Sequence, residues 1–230
     1  SALAKIAEHE GNVELAVSHY KAMIELKPKS ENFHMKLATL LLKNERRLES
    51  INVIEKLFRD SPEARNYSTL FILAHALADK DRVQAKLYLR ESIRLYPTTK
   101  AYNLLAGFDL EDENFRASLD NYRKAYKLDP ESVKSTYALA QAEFRQQNLE
   151  KTMTLLKKLL TLDSQHEQAW ELLADTYREL GDLTKALNTY ATATELSDEK
   201  SSIYMKVARI ELHELNRIQS AMKTLRKAID

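Results

Sequence analysis

The chain has 230 residues, 44% hydrophobic and 30% charged, with 35 Lys and Arg against 34 Asp and Glu. Its three glycines, Gly11, Gly107 and Gly181, stand too far apart for a dinucleotide G-x-G-x-x-G, a phosphate-binding G-x-x-x-x-G-K or a nucleophile elbow G-x-S-x-G. Zero cysteine removes disulfides, thiol catalysis and thiolate metal sites, and the even charge balance gives no basic stripe for nucleic acid.

The prolines set a period. Pro28, Pro62, Pro97 and Pro130 are spaced by 34, 35 and 33, and two further steps of 34 land on Ser164 and Asp198. Gly11-Asn12 and Gly181-Asp182 fall 17 residues before such end positions, which splits each unit into two short helices. Apolar residues recur at three and four rather than two, the helical period. Seven units follow in chain order. In 1–30, Leu3-Ala4 leads to Ala16, Tyr20, Met23 and Pro28. In 31–65, Leu37-Ala38 leads to Ser50, Ile54, Leu57 and Pro62. In 66–98, Ile72-Leu73 leads to Ala85, Leu89, Ser92 and Pro97, and here the longest apolar run, 70–78, is interrupted by His75. That run is far short of the ~20 residues of a membrane span. In 99–132, Tyr102 and Leu105-Ala106 lead to Ser118, Tyr122, Ala125 and Pro130. In 133–166, Leu139-Ala140 leads to Thr152, Leu156 and Leu159. In 167–200, Trp170-x-x-Leu173-Ala174-x-x-Tyr177 leads to Ala186, Tyr190 and Ala193. In 201–230, Val207-Ala208 leads to Ala221, Leu225 and Ala228, with one extra residue in the turn.

These columns resemble the tetratricopeptide repeat, a 34-residue helix–turn–helix. The resemblance implies an all-α fold, a right-handed α-solenoid of antiparallel helix pairs in one array. Small residues (Ala4, Ala38, Ala106, Ala140, Ala174, Ala208) let helices approach, and large ones beside them (Leu3, Leu37, Leu105, Leu173) fill the seam. The first unit lacks the start of its first helix, and no polar capping helix follows the seventh. The chain is therefore expected to be a segment of a longer array. Asp109, Glu143 and Glu211 break the pattern where a large apolar residue is usual, each followed by one: Leu110, Phe144 and Leu212. Two readings stay open: the helix rotates so that the neighbour fills the seam, or the neighbour points into the groove.

Chemistry is sparse. His9, His166 and His213 each precede Glu, but none has the second His of H-E-x-x-H. The run 109–113 lacks the central glycine of a cation loop and reads as a solvated acidic turn. No catalytic residue, metal site or cofactor is expected, and the chain reads as a non-enzyme.

The resemblance implies instead a concave groove lined by the first helix of each pair, binding a peptide segment or an amphipathic helix of a partner protein. Carried over by register, the lining is Met35, Thr39 and Leu42; Tyr67, Leu70, Ala74 and Leu77; Asn103, Gly107 and Leu110; Tyr137, Gln141 and Phe144; Glu171, Asp175 and Arg178; and Met205, Arg209 and Leu212. Leu70, Leu77 and Phe144 are equally candidates for core. The paired Lys and Asn with which one subclass grips chaperone C-termini are absent. The matching places hold Met35/Thr39, Leu70/Ala74, Asn103/Gly107 and Tyr137/Gln141. Two alternatives accompany this reading: the array as the regulatory or targeting arm of a larger enzyme or assembly machine, and self-association into a homo-oligomer. The near-regular steps are similar in style to bacterial repeat proteins of envelope, pilus, secretion or polysaccharide-export systems, which leaves cytoplasm and periplasm both open.

Overall fold

The computed structural model describes residues 2–229, and among them every regular element is helical. Two compact units divide the chain at 114/115. The first carries α1 (Ala2–His9), α2 (Val13–Leu26), α3 (Glu31–Lys43), α4 (Arg47–Asp60), α5 (Tyr67–Ala76), α6 (Arg82–Leu95) and α7 (Thr99–Glu111). The second carries α8 (Phe115–Leu128), α9 (Val133–Arg145), α10 (Leu149–Leu162), α11 (Glu167–Glu179), α12 (Leu183–Leu196), α13 (Lys200–Arg209) and α14 (Ile218–Ile229). Within each unit, successive helices joined by short turns pack as antiparallel neighbours.

Local chemistry sets the boundaries. Pro28, Pro62, Pro97 and Pro130 each stand two residues past the end of α2, α4, α6 and α8. There proline cannot continue a helix, because it lacks the N–H and disfavours helical geometry before it. Asn12, Asp81 and Asp182 cap second helices, their side-chain oxygens accepting from the backbone N–H of Leu15, Gln84 and Lys185 at 3.1, 2.9 and 3.1 Å. The tight turn inside a pair carries a left-handed residue in every pair but α5–α6. Gly11 and Gly181 supply it at φ +73° and +79°, but Glu45 and Gln147 are forced to 59° and 57° at the same repeat position. A non-glycine residue there costs about 1–2 kcal/mol, and glycine's greater freedom when unfolded returns only part of the difference. Glu45→Gly and Gln147→Gly should therefore each stabilise by about 1 kcal/mol, raising the melting temperature by roughly 2–4 °C. A calorimetric melt with no gain would show that the turn is unstrained.

The seam columns form the core. Ala4, Ala38, Ala106, Ala140, Ala174 and Ala208 are all buried, with Leu37, Leu105 and Leu173 beside them. Leu3 corrects the expectation for its column: it is 62% exposed, because no described helix covers that side of α1. The acids at the irregular position do not rotate away. Asp109, Glu143 and Glu211 are themselves buried. Lys86 of α6 reaches Asp109 at 2.8 Å, and Arg123 of α8 and the Asn148 amide donate to Glu143 at 2.8 and 2.7 Å. Ser220 and Thr224 of α14 donate to Glu211 at 2.5 and 2.7 Å. Leu110 and Phe144 are left half-buried and Leu212 exposed. The extra residue of the last pair sits in a π turn, Ile210–Glu214, closed by the Leu215 N–H donating to the Ile210 carbonyl at 3.0 Å. No helix among the described residues is long and apolar enough to cross a membrane.

Candidate functional site

In the first unit, the first helices of the pairs are α1, α3, α5 and α7. Met35 and Thr39 are one turn apart on α3 and line a cavity of about 310 Å³ with Lys5 and Glu8 of α1, Tyr20 of α2, and Lys36 and Lys43 of α3. The Tyr20 hydroxyl donates to Glu8 Oε1 at 2.5 Å. Burial, reinforced by that hydrogen bond and the carboxylate charge, pushes the phenol up to about 12. A phenol whose pKa is raised by folding contributes stability that is fully present below its unfolded value of about 10 and lost as pH rises through 12. Tyr20→Phe should cost about 1 kcal/mol near neutrality and flatten the alkaline loss. Urea melts near pH 9 and pH 11 check this, and equal alkaline slopes in both proteins would refute it.

The remaining candidates of this unit divide sharply. Tyr67 is exposed and tilts its ring against Tyr96, with centroids 4.9 Å apart. Leu42, Asn103, Gly107 and Leu110 are half-buried. Leu70 and Ala74 are fully buried and Leu77 is 7% exposed, so these three are core rather than groove lining. The reason is visible in α5 itself. Its sequence is apolar all round, and it is enclosed by α3, α4 and α6. The side chains it leaves half-exposed nearby are Phe71 and His75, with rings 6.1 Å apart.

In the second unit, α9, α11 and α13 bring five groups together. Tyr137 of α9 tilts against the His166 ring at 4.8 Å and donates to the Gln168 carbonyl at 3.4 Å. Burial raises its pKa, the Glu171 and Asp175 charges add to that, and a hydrogen bond with Gln141 opposes it. Lys206 of α13 bridges Glu171 and Asp175 of α11 at 2.8 and 2.7 Å. Asp175 also accepts the hydroxyl of Tyr190, a phenol that burial and the carboxylate drive well above its ordinary value. Desolvation works against the Lys206 charge, yet the two carboxylates hold its pKa above the usual value. Arg178 pairs with its neighbour Glu179 at 2.6 Å. Met205 lies apart, in a different cavity with Tyr204, Ser201 and Lys227. Arg209 is exposed and Phe144 half-buried at the end of α9.

Sequence reasoning missed Lys5, Lys36, Lys43 and Lys206. Lys36 and Lys206 share a signal: each stands two places before the small residue of its column, Ala38 and Ala208.

Two family profiles match. "Anaphase-promoting complex, cyclosome, subunit 3" covers residues 111–193 and "Tetratricopeptide repeat" covers 171–230. The tetratricopeptide repeat-containing protein trd-1 of Caenorhabditis elegans is 26% identical over 181 residues, 78% of this chain and 23% of that protein. Sperm-associated antigen 1 of Mus musculus is 28% identical over 100 residues, 44% of this chain and 11% of that protein. The chain thus spans under a quarter of the curated relatives it matches. Among solved structures, the C-terminal part of a TPR repeat-containing protein from Cytophaga hutchinsonii aligns at a TM-score of 0.76 and 15% identity, covering 99% of this chain and 97% of that one. YrrB, described as a TPR protein with an unusual peptide-binding site, aligns at 0.65 and 14% identity, covering 80% of this chain and 95% of its own. These structural likenesses establish the fold, an α-solenoid of helix pairs.

Proposed function

Because this chain is a tetratricopeptide-repeat protein, a fold whose use is protein–protein interaction, we propose that it is a scaffold holding a peptide segment or amphipathic helix of a partner protein against the first helices of its pairs. One observation carries the reading. In each unit, side chains from successive first helices converge on the same face: Lys5 and Glu8 with Met35, Lys36 and Thr39 in the first, and Tyr137 and Gln141 with Glu171, Asp175 and Lys206 in the second. The unusual peptide-binding site of YrrB supports it by analogy of fold. Tyr67, Arg178, Met205 and Arg209 extend the proposed lining. No catalytic step belongs to this reading. A second reading, that the repeats are the interaction arm of a longer protein, is favoured by the much greater length of trd-1 and sperm-associated antigen 1.

The test is affinity capture from native lysate with exposed substitutions. Tyr67→Asp, Gln141→Arg and Met205→Glu probe the first-helix face, and Val83→Asp and Leu26→Asp, both strongly exposed on second helices, serve as controls. A partner lost with the first set and kept with the second is the expected result. The reverse pattern would place binding on the second-helix face and overturn the proposal.

A further inference from the structure

Lys36 and Lys206 occupy equivalent repeat positions, five steps of 34 apart. In the second unit this lysine is neutralised from within, by Glu171 and Asp175 of α11. Shifted back by the same five steps, Asp175 becomes Lys5, while Tyr190 becomes Tyr20. In the first unit the place of one of these two carboxylates, Asp175, is therefore held by another cation. Lys5, Lys36 and Lys43 line one cavity, and none of them forms an ion pair among the described residues. Glu8, the carboxylate in that lining, already accepts the Tyr20 hydroxyl. Three ammonium groups against one carboxylate leave a net positive groove, complementary in charge to an anionic ligand.

We propose that this groove between α1 and α3 binds an acidic peptide segment, a ligand class that rests on the scaffold reading and narrows it. Aspartate or glutamate side chains pair with Lys5, Lys36 and Lys43, while half-buried Met35 gives apolar ground for an interleaved aliphatic residue. Lys36 and Lys43 are seven residues apart on one helix, roughly 10 Å. They address successive acidic side chains rather than a single terminal carboxylate. A nucleic-acid strand fits less well. Tyr20, the aromatic ring in the lining, is buried and cannot stack on a base.

The experiment is fluorescence anisotropy on the whole chain. The probe is a fluorescein-labelled, C-terminally amidated dodecapeptide of Glu-Glu-Leu triplets, and its isologue carries Gln for Glu. The acidic probe should bind with an affinity that falls as salt rises. Lys36→Glu/Lys43→Glu and the Gln isologue should each weaken binding by at least about tenfold, whereas Lys223→Glu/Arg226→Glu on α14 should change it less than about twofold. No binding of the acidic probe, or equal binding by the Lys36→Glu/Lys43→Glu protein, overturns the proposal. So does tighter binding of oligothymidylate than of the peptide at the same lysines. If Met35→Asp abolishes binding of both probes while the lysine reversals leave it intact, the acidic assignment falls and the scaffold reading stands. Loss of the acidic probe together with a failed first-helix capture experiment removes both.

Discussion

Truncating Leu70 to alanine should lower the stability of the first unit by about 3 kcal/mol. Leu70 is fully buried in α5, and removing a packed leucine costs its transfer free energy plus that of the cavity left behind. In urea melts followed by circular dichroism, the midpoint should fall by roughly 1–2 M. Thr39→Ala, on the exposed face of α3, should stay within about 0.5 kcal/mol of wild type. This contrast separates two roles that register alone gave to the same face. A Leu70→Ala protein as stable as wild type but unable to hold a partner would return Leu70 to the binding surface.

The second large effect is expected at Arg123. Its guanidinium donates to Glu143, whose side chain is 3% exposed, whereas Arg123 itself is 42% exposed. The two ends of the pair are therefore unequal. Arg123→Met strands a buried carboxylate with only the Asn148 amide left to serve it, and breaking a buried pair from that side typically costs 3–5 kcal/mol. Discounted for the retained amide and the solvent near Arg123, the loss should be about 2 kcal/mol. Glu143→Leu leaves a cation that can turn to water, so its cost should be under about 1 kcal/mol. The double variant should recover most of the loss. A double-mutant cycle by chemical denaturation measures the coupling, and equal costs for the two single variants would show that the carboxylate is not held by its partner.

The helix pairs were legible because each column had a chemical reason. Proline stops a helix, alanine lets two backbones approach, and an asparagine or aspartate caps the next start. Those effects are local, and one residue announces each of them. Side-chain facing was legible only where a helix is amphipathic. In α5 every face is apolar, so the register that placed Thr39 and Gln141 outside also placed Leu70 and Leu77 there, and packing by three neighbouring helices overrode it. The buried acids were visible as irregularities, but their meaning lay across the seam. Nothing near Glu143 in sequence points to Arg123 twenty residues earlier, nor from Glu211 to Thr224 thirteen later. The lysines of the proposed groove stayed hidden for the same reason: a cation is defined by whether an anion stands opposite, and the opposing residue comes from another helix.

The π turn at Ile210–Glu214 bears on how such chains change over time. In the other six repeats the column residue of the first helix (Ala4, Ala38, Leu73, Ala106, Ala140 or Ala174) stands twelve positions before its counterpart in the second, and in the last repeat the step is thirteen, Ala208 to Ala221. Ala221 is nonetheless buried, and Asn216 takes the left-handed turn at φ 51°, one place later than the period dictates. The extra residue is contained in one widened turn of backbone, and the small residue of the second helix still reaches the seam. A first helix that ends in such a turn absorbs one added residue and still delivers the small residue of its partner helix to the seam, so a one-residue insertion at this spot should be tolerated where one inside either helix would not be.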